Sequence, residues 1–162
     1  MIAVVGPADL TPATLELLEA ELRARLDRLA QGAAGVVRVG AGLPLAFGRA
    51  LRQAGRRLTL LLPGQDAVPV PLPRSDRAAA GELLLLAEQV KLLPYDPADR
   101  HACITADERL IASCRQVVAV WDGSPSDSRD ATAHLVAFAR GRGTPVEVIW
   151  PHGATRRARP RV

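Results

Sequence analysis

The chain has 162 residues, of which 48% are hydrophobic, 23% charged and only 3% aromatic. That is one ordinary domain with an aliphatic core, and it excludes a disordered or fibrous chain. The net charge is +4, but Arg156, Arg157, Arg159 and Arg161 crowd residues 155–162 without an acid. Without these arginines the body is close to neutral, so nucleic acid is not expected as a partner.

Residues 2–5 form a short apolar run rich in β-branched side chains, ended by Gly6-Pro7, and predict a buried strand. Thr11-Pro12 then opens a helix, Thr as N-cap and Pro in its first turn. Leu15, Leu18, Leu22, Leu26 and Leu29 recur along it at helical spacing, and Gly32 closes it. Residues 36–39 are a second strand, followed by Gly40-Ala41-Gly42-Leu43-Pro44 and a helix over 44–54. Residues 58–62 are a third strand, stopped by Pro63-Gly64. Four prolines between 63 and 73 predict a long surface loop. Ser75 caps a helix running to residue 93, whose Leu83–Leu86 stretch is apolar nearly all round and is buried or sits at a subunit contact. A helix over 98–114, a strand over 117–121, a polar loop over 124–129, a helix over 130–141 and a strand over 146–150 complete the pattern.

Apolar strands alternating with helices predict an α/β domain of Rossmann-like type. Its doubly wound, mostly parallel, five-stranded sheet carries helices on both faces. Residues 1–154 make the domain, and 155–162 are a basic, flexible tail that is solvated or touches phosphates. Ligands in such sheets bind outside the carboxyl ends of the strands. Three of those ends, Gly6-Pro7, Gly40-Ala41-Gly42 and Asp122-Gly123, combine glycine with a turn, which lets a backbone approach phosphate or ribose.

Cys103 and Cys114 belong to no CxxC or Cys/His ladder, so neither a metal nor a cofactor is expected. With no secretory leader, they suggest reduced thiols and a cytoplasmic location. No stretch approaches the roughly 20 apolar residues of a membrane span.

The C-terminal third carries the more specific signal. Val117-Val118-Ala119-Val120-Trp121-Asp122-Gly123-Ser124-Pro125 is followed by Asp130-Ala131-Thr132-Ala133, by Val136-Ala137-Phe138-Ala139-Arg140 and by Gly143-Thr144-Pro145-Val146. This block resembles the SLOG superfamily of Rossmann-like proteins, which includes the Smf-type DNA-processing proteins and the "lonely guy" phosphoribohydrolases. Nucleoside deoxyribosyltransferases are distantly similar in the same block. Val4-Val5-Gly6-Pro7 and residues 39–51 are similar to the family's first turn and second glycine-rich loop. The resemblance implies a nucleotide-derived ligand, its phosphate on the helix opened by Asp130 and Thr132, with Gly6, Pro7, Gly40, Gly42, Asp122 and Gly123 lining the cleft. It also implies a homodimer paired through helices.

Two departures bear on function. Asp130 and Ala131 stand where the family has G-G, and an acid in a phosphate cradle needs a cation to offset it, for which Arg129 is adjacent. Ala133, His134 and Leu135 follow, so no carboxylate stands where the phosphoribohydrolases carry their catalytic acid, unless Asp122 or Asp9 substitutes. The expectation is a binding or sensing domain with no catalytic residue assigned. The alternatives are a phosphoribohydrolase or nucleoside-transferring enzyme with a rearranged site, and a degenerate structural subunit. Asp122 binds a ribose hydroxyl or caps its own turn. Trp121 stacks on a base or packs in the core. His134 is a proton carrier or an exposed helix residue. Cys114 is a nucleophile or a small buried apolar group.

Overall fold

The protein is described by a computed structural model over residues 1–29 and 32–158. The chain alternates strands and helices from β1 (Ile2–Val5) through α1 (Pro12–Arg28), β2 (Gly35–Arg38), α2 (Leu43–Gln53) and β3 (Leu58–Gln65). A short β4 (Val68–Pro69), α3 (Arg77–Leu86) and β5 (Gln89–Leu93) follow. Then come α4 (Arg100–Ala112), β6 (Gln116–Val120), α5 (Thr132–Gly141) and β7 (Val146–Ile149).

Six strands pair in parallel in the order β5-β3-β2-β1-β6-β7. The order grows outward from β1 to β5, then returns to the other side of β1 with β6. The reversal therefore lies between β1 and β6, where open α/β sheets leave a crevice. Alternate strand residues feed two cores. Val4, Val37, Leu60 and Val118 pack under α1, α2 and α3, against Leu18, Leu22, Phe47 and Leu83. Ala3, Val5, Val36 and Ala119 pack under α4 and α5, against Ile111, Val136 and Ala139. This is the doubly wound α/β fold that the alternating pattern predicts.

Local signals account for the helix ends. Thr11 caps α1, its hydroxyl accepting from the Thr14 N–H at 3.3 Å. At the other end the Arg56 guanidinium donates to the carbonyls of Leu26 and Leu29, the first of which also accepts the Leu29 N–H.

The expectation of five strands falls short, since the described residues hold seven. Residues 87–93, expected at the end of a helix, are a turn and the edge strand β5. α3 stops at Leu86, where Ala87 turns to extended backbone. Residues 63–73, expected as loop, begin with the end of β3 and β4, joined in a hairpin by Asp66 and Ala67 at positive φ. Pro63 is tolerated because it lies beyond Leu61, the last β3 residue in register with β2, so its missing N–H leaves no ladder partner unsatisfied on that side.

Candidate functional site

A cleft of about 220 Å³ opens at the carboxyl ends of β1 and β2. Gly6, Pro7 and Ala8 form one lip, and Gly40, Ala41 and Pro44 the other. Gly6 is required by close approach: a Cβ there would stand 2.5 Å from Leu43 Cδ2 and 3.0 Å from Val120 Cβ. Gly42 opens α2 at φ 78° and ψ −119°, a conformation that side chains avoid. Of the expected ligand residues, Gly6, Pro7 and Gly40 line this cleft together. Gly42 turns away from it, onto a shallow groove beside α1.

The charged groups lining the cleft are Arg38, Asp76 and Asp107. Arg38, at the end of β2, makes a two-pronged ion pair with Asp107 on α4, at 2.8 and 3.2 Å. Burial alone would lower the Arg38 pKa, but the Asp107 charge and hydrogen bonds outweigh it and hold the guanidinium firmly charged. The guanidinium also lies 5.9 Å from the ring centroid of Tyr95. The Tyr95 hydroxyl is buried without a hydrogen-bond partner among the described residues. Burial pushes its pKa up to about 12, against the opposing pull of Arg38. Asp76 reaches over the second lip, and its Oδ1 accepts the Ala41 N–H at 3.1 Å.

The other expected ligand residues gather on the far side of the β1 turn, around Arg156. Asp130 is 4% exposed. Its Oδ1 accepts from the Thr132 N–H at 2.9 Å and the Thr132 hydroxyl at 2.6 Å. The His134 N–H donates to Ser126 Oγ at 2.9 Å. The N-terminus of α5 is thus capped by two side chains of its own chain. Asp122 accepts from the Ser124 N–H and hydroxyl, and these bonds hold its carboxyl below the usual carboxylate range, with Arg156 adding to them against burial. Gly123 follows at φ 87°. Trp121 packs beside the second core and donates its indole N–H to Ser124 O at 2.8 Å, which closes the same turn.

Arg156 is the residue that sequence reasoning did not single out. Its guanidinium lies 2.8 Å from Asp9, 3.3 Å from Asp130 and 3.9 Å from Asp122. The segment that carries it is docked. Thr155 bonds to Thr11 and Thr14, Leu10 and Arg156 form an antiparallel bridge, and the Arg157 N–H donates to Asp9 O. The remainder of the expected tail, residues 159–162, lies outside the described residues. A signal was available: two acids follow the ends of β1 and β6 and a third precedes α5, which calls for a cation there.

The other residues singled out from the sequence lie apart from the cleft. His134 is exposed and 3.3 Å from Glu108. Cys114 is buried, and burial raises its thiol pKa. Among the described residues, no group of three His, Cys, Asp or Glu side chains is placed to hold a metal ion. No helix there is long and apolar enough to cross a membrane.

No protein-family model matches the chain, and no curated protein does. Solved structures are similar in fold. DNA processing protein A from Streptococcus pneumoniae superposes with a TM-score of 0.67 at 17% identity, over 93% of this chain and 50% of that one. This chain therefore spans about half the length of that protein. Two structures of the molybdenum cofactor (Moco) carrier protein from Chlamydomonas reinhardtii match with TM-scores of 0.55 and 0.56, at 20% and 19% identity. Each match covers 91% of this chain and 74% of that one. The strand order, the crevice beside β1 and these similarities together show a doubly wound, Rossmann-like α/β fold.

Proposed function

We propose that this domain binds a nucleotide-derived small molecule in the cleft between Gly6-Pro7-Ala8 and Gly40-Ala41. The observation that carries the reading is the cleft's place, at the carboxyl ends of the strands beside the point where their order reverses, with backbone rather than bulky side chains on both lips. The neighbour named as a molybdenum cofactor carrier supports small-molecule binding on this fold. The DNA-processing neighbour speaks against setting nucleic acid aside as a partner.

Binding rather than turnover is favoured by the state of the acids. Asp9 and Asp122, the two candidates to replace a missing catalytic carboxylate, both lie against Arg156. The reading includes a homodimer through α3, where Leu84 and Leu85 are 47% and 85% exposed. It also includes a reducing, cytoplasmic setting, in keeping with two free cysteines.

A thermal-shift screen against nucleosides, nucleotides, NAD and ADP-ribose tests it, with Ala8→Glu and Ala41→Glu as controls. Both alanines line the cleft and are exposed, so the variants fold. Ligand at a hundred times its dissociation constant stabilises the fold by about 2.7 kcal/mol, a rise of a few degrees. A shift present in wild type and absent from both variants supports the cleft, and a shift that persists in both refutes it. Light scattering showing a monomer at high concentration removes the dimer.

A further inference from the structure

We infer that the cleft selects the uncharged form of such a ligand, a nucleoside, over its 5′-phosphate ester. The inference rests on the binding reading above and deepens it. Rossmann-like crevices ordinarily take phosphate on a glycine-rich loop and a helix N-terminus, where unpaired N–H groups and the helix dipole draw an anion. Here a carboxylate of the chain itself already covers one N–H in the glycine-rich loop of the cleft and one at the start of the neighbouring α5. Asp76 sits on the Ala41 N–H in the loop before α2, and Asp130 sits on the Thr132 N–H and hydroxyl at the start of α5.

The cations are spent as well. Arg38, the one basic side chain lining the cleft among the described residues, is engaged through both prongs by Asp107. Arg156 is engaged by Asp9, Asp130 and Asp122. Arg38, Asp76 and Asp107 leave the cleft lining with one net negative charge. A phosphate would enter against that charge and against the Asp76 carboxylate, which stands on the N–H a phosphate would use. A ribose or base reverses the preference. Its hydroxyl and amino groups donate, and Asp76 lines the cleft with only Oδ1 engaged by a hydrogen bond among the described residues. Size agrees, since about 220 Å³ is less than the roughly 300–1,000 Å³ of most small-molecule pockets. It favours the smaller ligand.

The test is calorimetric titration of the full chain with adenosine, guanosine, cytidine, uridine and their 5′-monophosphates, at low and high salt. At least one nucleoside should bind, and its monophosphate at least ten-fold more weakly. High salt should narrow that gap, because screening weakens like-charge repulsion. Asp76→Asn, at the half-buried residue that precedes α3 and makes no side-chain cap to it, should strengthen monophosphate binding several-fold and so narrow the gap at low salt. A monophosphate that binds wild type as tightly as its nucleoside overturns the inference and leaves the binding reading standing. A gap unchanged by both salt and Asp76→Asn overturns the electrostatic cause and with it the inference. Heat from none of the eight compounds removes the nucleotide-derived reading itself.

Discussion

Replacing Arg156 by alanine isolates the contact that ties the C-terminal segment to the domain. The side chain is 18% exposed, and its partners Asp9, Asp122 and Asp130 are 34%, 29% and 4% exposed. Exposed ion pairs contribute about 0.2–1 kcal/mol, whereas breaking a buried pair costs about 3–5 kcal/mol. Asp9 and Asp122 fall near the first regime. Asp130 falls between the two, because Thr132 still satisfies its Oδ1 after the arginine is gone. The expected loss is therefore about 2–3 kcal/mol, or roughly 1 M in the urea midpoint for a slope of about 2–3 kcal/mol/M. Arg156→Lys keeps the charge but loses the fork, so it should retain part of the stability. Adding Asp130→Asn to Arg156→Ala should cost less than the sum of the single changes, with about 1–2 kcal/mol of coupling. Acid supplies a further control. Asp122 titrates below its unfolded value, so its contribution is present above about pH 4 and is lost as pH falls through the lowered folded value. Most of that lowering comes from the Ser124 bonds, which Arg156→Ala keeps, so the gap between the two proteins should narrow in acid only by the smaller Arg156 share. A loss below about 0.5 kcal/mol at pH 7 would refute the assignment of Arg156 as an internal counter-ion.

Three further outcomes are expected. The chain has one tyrosine, so phenolate absorbance reports Tyr95 alone; its midpoint should lie near 12, with stability falling above pH 10 as the unfolded chain ionises first, and a midpoint at the ordinary 10 would contradict its burial. Gly6→Ala should destabilise by about 1–3 kcal/mol, read by urea denaturation, because the new methyl meets Leu43 and Val120; no change would mean that the β1 turn adjusts freely. Lys91, the chain's only lysine, stands at the middle of edge strand β5 between the exposed Val90 and Leu92; Lys91→Val should promote self-association in light scattering, since a charge on an open edge opposes strand pairing, and an unchanged size distribution would count against that role.

The parts of the fold that were readable carried local signals. Leu18, Leu22 and Leu26, picked out by helical spacing, are all buried under one sheet face. The Thr11-Pro12 pair opens α1 as its chemistry requires. What escaped was set by distant partners. Residues 83–93 run without a glycine or proline, and nothing local divides a buried helix end from an edge strand. The division follows from β3, whose residues Thr59 to Pro63 supply the ladder for Gln89 to Leu93. The prolines at 63 and 69 misled for a related reason. Proline excludes a strand only where its N–H would meet a partner, and both lie at positions without that demand.

The site divides the same way. Glycine after a strand is a local requirement, and Gly6 and Gly40 meet across the cleft as their spacing in a βαβ unit would bring them. The charges are not local, since Asp76 reaches Ala41 over 35 residues and Arg156 reaches Asp9 over 147. The departure at Asp130 nevertheless posed the correct physical question. An acid at a helix N-terminus beside a turn of acids needs a compensating cation, and Arg129 was the neighbour in sequence. The cation beside it is Arg156, brought back by the C-terminal segment. Asp130 and Arg156 therefore make sense only as a pair. The acid caps the first N–H of α5, and the arginine makes a 4%-exposed carboxylate tolerable there. A glycine at this position would leave the Thr132 N–H without its carboxylate and Arg156 with Asp9 and Asp122 alone. The run of arginines that began as an excess of charge at one end of the sequence thus has, in its first member, a structural task at the edge where the sheet reverses.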